Sequence, residues 1–251
     1  MRNICMIIAY DGSRYHGFQK QGNTPDTIQD RMENVLSRFF DEEITVTASG
    51  RTDEGVHAYG QVLNFHTHWE GDLENLSFQI NNFLPDDIEI LSVFEVPERF
   101  HARFDAKWKH YRYCVYVGEG KDVFNRKYEW KFNPKVRINT EKMKEAVSYL
   151  LGEHDFTSFC GNRHMKKSAV RTIYDIQIHE ESMQLIFDFY GNGFLQYMVR
   201  ILTGTLLEVG IGAKRPEEMT DILSAKDRSK AGFTAPSKGL CLVEVGYEER
   251  E

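Results

Sequence analysis

Two spacings of apolar side chains alternate along the first hundred residues of the chain. Short apolar or β-branched runs predict strands at residues 3–10, 44–49, 61–66 and 88–96. A spacing of three to four residues predicts two helices, with the inward residues Ile28, Met32, Val35, Leu36 and Phe39 in the first and Leu73, Leu76, Ile80 and Phe83 in the second. Thr24-Pro25 predicts the start of the first helix, because proline fits the first helical position. The resulting order, β-α-β-β-α-β, is that of a split βαβ, ferredoxin-like unit.

The second half of the chain combines the same two spacings. Strands are predicted at residues 107–117, 174–178, 185–189 and 240–247, and the middle two form a hairpin around residues 180–182. Thr140 is the predicted cap of a helix whose inward residues are Met143, Val147, Leu150 and Leu151. Another helix ends at Gly210 and Gly212, with inward residues Phe194, Met198, Ile201, Leu202 and Leu206, and a short one follows Pro216. We therefore predict an α+β fold of two halves, residues 1–105 and 106–251, which repeat an architecture but no sequence.

The composition is that of a folded globular protein. Of the 251 residues, 41% are hydrophobic and 13% aromatic, enough for a sizeable core. No apolar run is long enough to span a bilayer, and the first segment is too short and strand-like for a signal peptide. The four cysteines form no C-x-x-C pair, which predicts reduced thiols in a cytosolic protein and argues against a zinc site: Cys5, Cys114, Cys160 and Cys241.

Charge is distributed unevenly along the chain, although the net charge is −7. One basic run contains Arg163, His164, Lys166, Lys167 and Arg171 without an acid. Another contains Arg103, Lys107, Lys109 and Arg112 beside the single acid Asp105. Acids collect instead at residues 26–33, 41–43 and 248–251. This segregation predicts a basic cleft on an acidic protein, suited to phosphate groups, although either run alone also fits a merely solvated surface.

A loop at residues 50–58, between two predicted strands, carries the strongest chemical signal. Arg51 stands two positions before Asp53, and Gly50 and Gly55 flank the acid. Glycine lets a backbone approach a ligand or adopt φ > 0, and a neighbouring cation keeps an acid ionised, as a nucleophile must be. The loop is therefore a candidate for catalysis by a carboxylate. Taken alone, the same residues also fit a hairpin turn with a surface ion pair.

Residues 50–58 resemble the active-site motif of the tRNA pseudouridine synthase A family, and other blocks resemble that family in the same order. These blocks are residues 10–19 (YDGSRYHGFQ), 100–104 (FHARF), 111–113 (YRY), 154–156 (HDF), 198–200 (MVR), Ala235-Pro236 and Gly239-Leu240. Mild departures are Phe18, where tryptophan is usual, and Glu54, where a small residue is usual. Because the ordered set spans nearly the whole chain, the chain is identified as a member of this family.

The resemblance implies two α/β halves that share an extended antiparallel sheet, with a basic cleft between them. It also implies a homodimer that isomerises uridine to pseudouridine at positions 38, 39 and 40 in the anticodon stem-loop of tRNA. The reaction breaks an N-glycosidic bond, turns the uracil and joins C5 to the sugar. It needs a nucleophile and a closed pocket, and no metal, redox partner or other cofactor. Asp53 is the predicted nucleophile, attacking either C1′ of the sugar or C6 of the base.

Arg200 and Tyr111 are the predicted catalytic partners of Asp53. Burial raises the pKa of an aspartate unless a cation lies beside it, and the resemblance points to Arg200 as that cation. Its apolar neighbours predict an immersed helix, where a lone cation needs an acid, and an arginine that snorkels to solvent is the alternative. The resemblance implies that Tyr111 stacks on the flipped base, with proton removal from C5 as a second implied role. Tyr113 on the same strand face is assigned to the core.

The predicted RNA contacts lie in three parts of the chain. The resemblance implies that Arg51 enters the stem or holds a phosphate and that Leu240 lines the pocket under the base. Arg14, His16 and Lys20 in the first loop are candidate phosphate contacts, with solvated loop cations as the alternative.

Three histidines near the candidate loop are assigned no catalytic role. His57 is predicted to fix the loop by hydrogen bonding rather than to act as a general base. His66 and His68 face the same way on a strand, but no third ligand for a metal is evident nearby.

Two other functions remain open at the level of sequence. A nucleobase glycosidase can also use an aspartate near an arginine, but hydrolysis generally recruits a second carboxylate about 5 Å or more away. Glu54 is the one acid adjacent to Asp53, and on the next residue it should point elsewhere. The second alternative is a catalytically silent RNA-binding or RNA-folding protein. Asp53, Arg200 and Tyr111 together argue against it, because binding alone gains nothing from a buried carboxylate near phosphates.

Overall fold

A computed structural model describes residues 1–132, 136–162 and 167–250 of the chain. The polypeptide divides into two compact units, Met1–Lys107 with Cys241–Glu251, and Trp108–Leu240. Both units contain strands and helices, so the predicted α+β class is confirmed.

The first unit is built on a sheet with β1 at its centre. Its elements before residue 108 are β1 (Arg2–Tyr10), α1 (Ile28–Phe40), β2 (Thr47–Ala48), β3 (His57–Thr67), α2 (Leu76–Asn81) and β4 (Ile88–Val96). Strand β1 pairs antiparallel with both β3 and β4, and the short β2 pairs antiparallel with β3. Helix α1 buries Ile28, Met32 and Leu36 from the predicted stripe, which accounts for its helical spacing.

The described residues of the second unit form a four-stranded antiparallel sheet, one further short strand and three α-helices. Its elements are β5 (Trp108–Tyr116), β6 (Trp130–Lys131), α3 (Thr140–Ser148), β7 (Gly152–Asp155), β8 (Val170–Glu181), β9 (Gln184–Gly191), α4 (Met198–Gly210) and α5 (Glu218–Ala225). The strand order is β5-β9-β8-β7, and β6 adds a parallel pair on β5. The hairpin of β8 and β9 confirms the predicted one, with Ser182 at φ 54° in its turn. Helices α3 and α4 pack together.

The last strand, β10 (Leu240–Gly246), pairs parallel with β3 of the first unit through Cys241 opposite His57. The sequence division placed all of residues 106–251 in the second half, but residues 241–251 belong to the first unit, so that division was wrong for the C-terminal residues. The strand has its partner on the first unit, and a Cβ at Gly60 would stand 2.5 Å from the carbonyl oxygen of Val243. The phenol of Tyr247 also donates a hydrogen bond to the carbonyl of Ala102 at 2.7 Å.

Three predictions in the first unit need correction. Helix α1 begins at Ile28 rather than near Pro25, because Thr27 accepts a hydrogen bond from the Asp30 amide and acts as the N-cap. The strand predicted at residues 44–49 is reduced to Thr47–Ala48. Phe83, predicted to point inward, lies beyond the end of α2 and is 67% exposed.

Two helix starts in the second unit also differ from prediction. Asn139 caps α3 in place of Thr140, because its side chain accepts from the Lys142 amide at 3.0 Å. Helix α4 begins at Met198 and so excludes Phe194, since Tyr197 has φ 61°, a left-handed conformation that interrupts a right-handed helix.

The described cysteines are free thiols, of which Cys5 and Cys160 are buried. Burial raises the pKa of Cys5 to about 12 and that of Cys114 to about 11, so both are protonated at neutral pH.

Across the described ranges, no helix combines the length and apolar character that a membrane crossing requires.

Candidate active site

The loop that carries Asp53 joins β2 to β3, as predicted, and its first residues are clamped to β3. The Ser49 hydroxyl donates to the side-chain oxygen of Gln61 at 2.6 Å, and the Gln61 amide donates to the carbonyl of Gly50 at 3.0 Å. Ser49 and Gln61 are both fully buried. Because buried polar groups are costly to leave unpaired, these two hydrogen bonds fix the point at which the loop leaves the strand.

The segment at residues 11–19 packs its backbone directly on the Asp53 loop. The Phe18 amide donates to the carbonyl of Thr52 at 3.0 Å, and the Gly55 amide donates to the carbonyl of Tyr15 at 3.3 Å. The phenol of Tyr10 lies 2.8 Å from the hydroxyl of Thr52 in a buried hydrogen bond. These bonds hold the residues on both sides of Asp53.

Two glycines make this close approach possible. A Cβ at Gly12 would collide with the carbonyl of Val56, and one at Gly17 would stand 2.9 Å from the carbonyl oxygen of Thr52. Gly17 also has φ +92°, a conformation that L side chains rarely adopt. The first family-like block and the Asp53 loop therefore form one rigid structure, although about forty residues separate them in sequence.

Asp53 lies in a tight turn in the middle of this loop and is partly buried. The Val56 amide donates to the carbonyl of Asp53 at 3.1 Å, and Gly55 adopts φ +72°. Arg51 is exposed. Glu54 is also exposed and lies 3.5 Å from the imidazole of His16. The next acid in sequence thus points to solvent on the protein surface, as predicted.

His57 closes the loop in the structural role predicted for it. Its ring is buried, and its Nδ1 accepts a hydrogen bond from the Gly12 amide at 3.1 Å. The same nitrogen lies 3.2 Å from a carboxylate oxygen of Asp11. His57 therefore connects the Asp53 loop to the first loop.

Two of the predicted phosphate contacts in the first unit, Arg14 and Lys20, each lie beside acids. The Arg14 guanidinium is 3.3 Å from a carboxylate oxygen of Asp87. The Lys20 ammonium is 3.2 Å from Asp30 and 3.3 Å from Glu33, and these carboxylates raise the pKa of Lys20. Contacts of either cation with RNA remain predictions, and they require exchange of these carboxylates for phosphates.

Arg200 occupies the first turn of α4 in the second unit and is held in place by its own neighbourhood. Its Nε donates to the carbonyl of Ala235 at 2.7 Å, and the Ala235 amide donates to the carbonyl of Arg200 at 3.1 Å. The guanidinium carbon lies 4.9 Å from the ring centroid of Tyr197, a cation–π contact. The rest of α4 is almost wholly buried, so the predicted immersed helix is confirmed. A fixed guanidinium of this kind differs from a side chain that snorkels freely.

Tyr111 and Tyr113 share the buried face of β5, where they oppose Phe189 and Phe187 of β9. Tyr111 is 8% exposed and meets Phe194 edge-on at a centroid distance of 5.3 Å. Tyr113 is fully buried and donates from its phenol to the carbonyl of Pro236 at 2.6 Å, which confirms its assignment to the core.

The segment at residues 235–240 contacts both α4 and β5. It is bonded to Arg200 through Ala235 and to Tyr113 through Pro236. A Cβ at Gly239 would stand 2.7 Å from the carbonyl oxygen of Cys114, so the segment lies directly on the strand. Leu240 follows and is buried. The family-like blocks with Tyr111, Arg200 and Leu240 thus form one cluster inside the second unit.

Several of the residues that build these two clusters were not singled out from the sequence. Tyr197, which supports the guanidinium, stands three positions before Arg200, and Gln61, which fixes the Asp53 loop, is a polar residue inside an apolar strand. A buried polar residue in a strand is a usable signal for a structural hydrogen bond. The contact of Ala235 with Arg200 leaves no such signal, because Ala235 contributes only backbone atoms to it.

The two basic runs of the sequence differ in how their side chains are bonded. Arg163, His164 and Lys166 of the first run lie outside the described residues, while Arg171 donates to backbone carbonyls of Ser168 and Val170. In the second run, Arg103 is exposed, but Arg112 is bonded to Asp188 at 2.9 Å.

The described residues hold no group of three or more histidine, cysteine or carboxylate side chains suited to a metal.

A buried polar cluster surrounds Asp188 on the opposite face of β5 and β9. Asp188 is 2% exposed, the His110 Nε2 donates to it at 2.5 Å, and Arg112 binds both its oxygens at 2.9 and 3.1 Å. Burial alone would raise the pKa of Asp188, but hydrogen bonds from His110 and Arg112 lower it overall. His110 and Arg112 flank Tyr111 in sequence, so the cluster fixes the strand on both sides of that residue.

The chain is similar to known tRNA-modifying enzymes. The family described as tRNA pseudouridine synthase matches residues 6–105 and 146–248, which leaves out the segment with Tyr111. The tRNA pseudouridine synthase A of Brevibacillus brevis is 45% identical over 249 residues, covering 98% of this chain and 100% of the relative. That of Anoxybacillus flavithermus is 46% identical over 249 residues, covering 99% and 100%. That of Acetivibrio thermocellus is 43% identical over 247 residues, covering 98% and 100%.

Proposed function

The chain belongs to the tRNA pseudouridine synthase family, and from this membership we propose that it isomerises uridine in the anticodon stem-loop of tRNA with Asp53 as nucleophile. It is an isomerase that acts on tRNA. The observation that carries the assignment of Asp53 is the loop that holds it, fixed by backbone bonds to Tyr15 and Phe18 and by the side chain of Gln61. A site fixed in this way presents a carboxylate without reorganisation during the reaction.

Asp53 forms a covalent bond to the nucleotide, at C1′ of the sugar or at C6 of the base. The C1′–N1 bond of the uridine breaks, the uracil turns, a C1′–C5 bond forms, and the bond between Asp53 and the nucleotide breaks again to release the free carboxylate. The proton on C5 leaves and N1 gains one, so the reaction needs no oxidant, reductant or water. An acid that attacks must be ionised at neutral pH, and partial burial alone would oppose ionisation.

Arg200 supplies the positive charge that keeps Asp53 ionised, and Tyr111 stacks on the flipped uracil. The fixed guanidinium of Arg200, bonded to Ala235 and seated over Tyr197, supports this role, since a pre-organised cation loses little entropy on pairing. The low exposure of Tyr111 supports stacking in a closed pocket. Arg51 and Leu240 complete the contacts with the stem and the base, and Arg14 and Lys20 contact phosphates.

The wider setting follows from the same family membership. We place the modified uridines at positions 38, 39 and 40 and the enzyme in the cytoplasm, as a homodimer. Its two halves are of the ferredoxin-like kind, share an extended antiparallel sheet and enclose a basic cleft. Sedimentation of the purified protein with and without tRNA measures the stoichiometry, and a monomer in both conditions would contradict the dimer.

The test of the nucleophile is tritium release from tRNA that carries 5-tritiated uridine. Pseudouridine formation expels the C5 hydrogen, so the wild type releases tritium and Asp53→Asn does not. Glu54→Gln is the matched control, because it neutralises the adjacent exposed acid and should keep activity. Binding of tRNA by Asp53→Asn is measured in parallel, so that loss of chemistry is separated from loss of the substrate complex. Release by Asp53→Asn at the wild-type rate would reject Asp53 as nucleophile.

The glycosidase alternative is distinguished by its product. Hydrolysis would yield free uracil and an abasic site, whereas isomerisation retains the base. The position of Glu54 disfavours hydrolysis, because its carboxylate is 73% exposed and lies beside His16 rather than in the interior of the loop. Chromatography of the reaction mixture decides the question, and free uracil at the level of turnover would establish the glycosidase.

A further inference from the structure

We propose that the turn between β5 and β6, at residues 121–128, is a second RNA-binding element that stacks an unpaired base of the tRNA on Phe124. This inference takes its substrate, tRNA, from the proposed function. The residues that it concerns are not among the predicted site residues. The turn lies in the second unit, where Gly118 to Lys131 lead from the end of β5 into β6.

Phe124 is the most exposed large apolar side chain among the described residues, with 90% of its surface in water, and Val123 beside it is 58% exposed. Exposed apolar residues are common when scattered singly. An aromatic ring held outward at the tip of a fixed turn is a different case, because the flat face is available to a ligand without further ordering.

The turn is fixed by its own hydrogen bonds. The Asp122 carboxylate accepts from the amides of Phe124 and Asn125 at 3.0 Å each and from the Asn125 side chain at 2.7 Å. The amide of Tyr128 donates to the carbonyl of Asn125 at 2.7 Å. The Arg126 guanidinium donates to the carbonyl of Val123. These bonds close the turn on both sides of Phe124.

One lysine attaches the turn to the rest of the second unit, and a second lysine links the two chain segments that flank the turn. Lys238 donates to the carbonyl of Arg126 at 3.1 Å, and Lys131 donates to the carbonyl of Glu119 at 2.8 Å. The neighbouring acid Glu129 is buried and accepts from Gln184 at 2.8 Å. The turn is thus held in place at its base as well as closed at its tip.

The charges around Phe124 select RNA as the partner. Lys121, Arg126 and Lys127 lie within three residues of it and are exposed. The nearest acid is Asp122, whose carboxylate accepts from the amide and side chain of Asn125 and from the amide of Phe124, and these bonds lower its pKa. An exposed ring between cations, on a chain with net charge −7, matches a nucleobase with its flanking phosphates.

The experiment compares tRNA affinity and salt dependence among four full-length proteins: wild type, Phe124→Ala, Phe124→Trp and Phe83→Ala. A stacked base is lost in Phe124→Ala, so we expect affinity to fall about tenfold with an unchanged salt slope, within the range of aromatic stacking. Phe124→Trp keeps a flat ring and should bind like the wild type. Phe83, also 67% exposed but in the first unit, is the matched control, and its loss should leave affinity unchanged.

Arg126→Ala and Lys127→Ala test the phosphate contacts separately. Each should lower affinity and reduce the slope of log K against log salt by about 1. Phe124→Leu guards against a change in folding, because it keeps apolar bulk but lacks the stacking face and should behave like Phe124→Ala with an unchanged Tm.

Three results would overturn the proposal. Wild-type affinity of Phe124→Ala for tRNA would show that no base stacks on Phe124. Phe124→Leu that binds like the wild type would reduce the contact to apolar bulk. A change of oligomeric state in Phe124→Ala with unaltered tRNA affinity would assign the turn to a second copy of the chain. Tritium release at saturating tRNA is recorded alongside, so that failure of the isomerase assignment is seen independently of binding.

Discussion

At the scale of single residues, two glycines of the first loop, Gly12 and Gly17, lie directly against the backbone of the Asp53 loop. Gly17 combines a positive φ of +92° with a close approach to the carbonyl of Thr52. A side chain there meets both conformational strain and a backbone clash, and the backbone in question holds Asp53. The sequence analysis assigned a close approach or a positive φ to Gly50 and Gly55, and Gly55 does adopt φ +72°, whereas the approach of the first loop to this backbone at Gly12 and Gly17 was not predicted.

Gly17→Ala should therefore lower both stability and activity. The left-handed conformation alone costs about 1–3 kcal/mol for a non-glycine residue, and the clash adds to that cost. Urea unfolding and tritium release measure the two effects.

Two glycines provide matched controls for this substitution. Gly22→Ala should be silent, since a Cβ there has open space and no positive φ. Gly152→Ala isolates the conformational cost, because Gly152 has φ +89° with nothing near its Cβ. Equal activity in Gly17→Ala and the wild type would mean that the loop tolerates displacement and that its rigidity is unimportant.

Arg200→Lys tests whether geometry or charge matters at that position. Lysine keeps the charge but loses the Nε bond to Ala235 and the planar contact with Tyr197, so activity should fall at least tenfold, about 1.4 kcal/mol in barrier height. The readout is the single-turnover rate of tritium release at saturating tRNA. Arg38→Lys, an exposed arginine on α1, is the control and should retain full activity. A fully active Arg200→Lys would show that a point charge is sufficient.

At the scale of elements, the sequence predicted which segments are strands and helices better than where they begin. Residues 24–30 offer two threonines as caps, and Pro25 favoured the earlier one. The choice of Thr27 depends on its buried bond to Asp30 and on the backbone contacts of Ile28 and Gln29 with the first loop. Such tertiary contacts have no counterpart in local sequence.

The Asp188 cluster could not be predicted for a related reason. Arg112 and Asp188 are 76 residues apart and meet only because β5 pairs with β9 in one register. The sequence therefore suggested a phosphate contact for Arg112, whereas the structure gives it a buried carboxylate. A cation in a basic run is informative about RNA binding only after its protein partners are known.

We expect Asp188 to make the second unit sensitive to acid. Its folded pKa is lowered by His110 and Arg112 relative to an ordinary aspartate. Its stabilisation is therefore complete above the pKa of the unfolded chain, about 4, and is lost as pH falls through the lower folded value. Urea unfolding of the wild type from pH 7 to pH 3 should show this loss.

Asp188→Asn should lower the unfolding free energy at pH 7 by about 1–3 kcal/mol, because it removes the carboxylate that accepts hydrogen bonds from the buried His110 and the half-exposed Arg112. The variant should also lose the share of acid sensitivity that Asp188 supplies. Asp221→Asn, at an exposed position on α5, is the control and should match the wild type. An Asp188→Asn protein with the wild-type pH profile would exclude this cluster as the source of acid sensitivity.

At the scale of the whole molecule, the division of the chain differs from the division of the sequence. The sequence suggested two consecutive halves, and the composition gave no reason to separate the last strand from the second half of the chain. Parallel pairing of β10 with β3 is a long-range contact between residues some 180 positions apart, and periodicity identifies a strand but not its partner. The ordered motifs located the candidate site residues better than periodicity did, because they mark chemistry rather than pairing.

This topology makes the first unit dependent on the C-terminus. Strand β10 lies against β3 close to Gly60, the amide of Lys107 donates to the carbonyl of Gly246 at 2.8 Å, and Tyr247 bonds to Ala102. Removal of residues 241–251 would expose the edge of β3, the strand that follows the Asp53 loop, together with buried Ala58 and Leu63. A chain truncated after Leu240 should therefore lose hydrogen-exchange protection in β3 and lose activity with it. A chain truncated after Tyr247 keeps these contacts and should remain protected and active, so equal protection of β3 in both truncated chains would contradict the dependence.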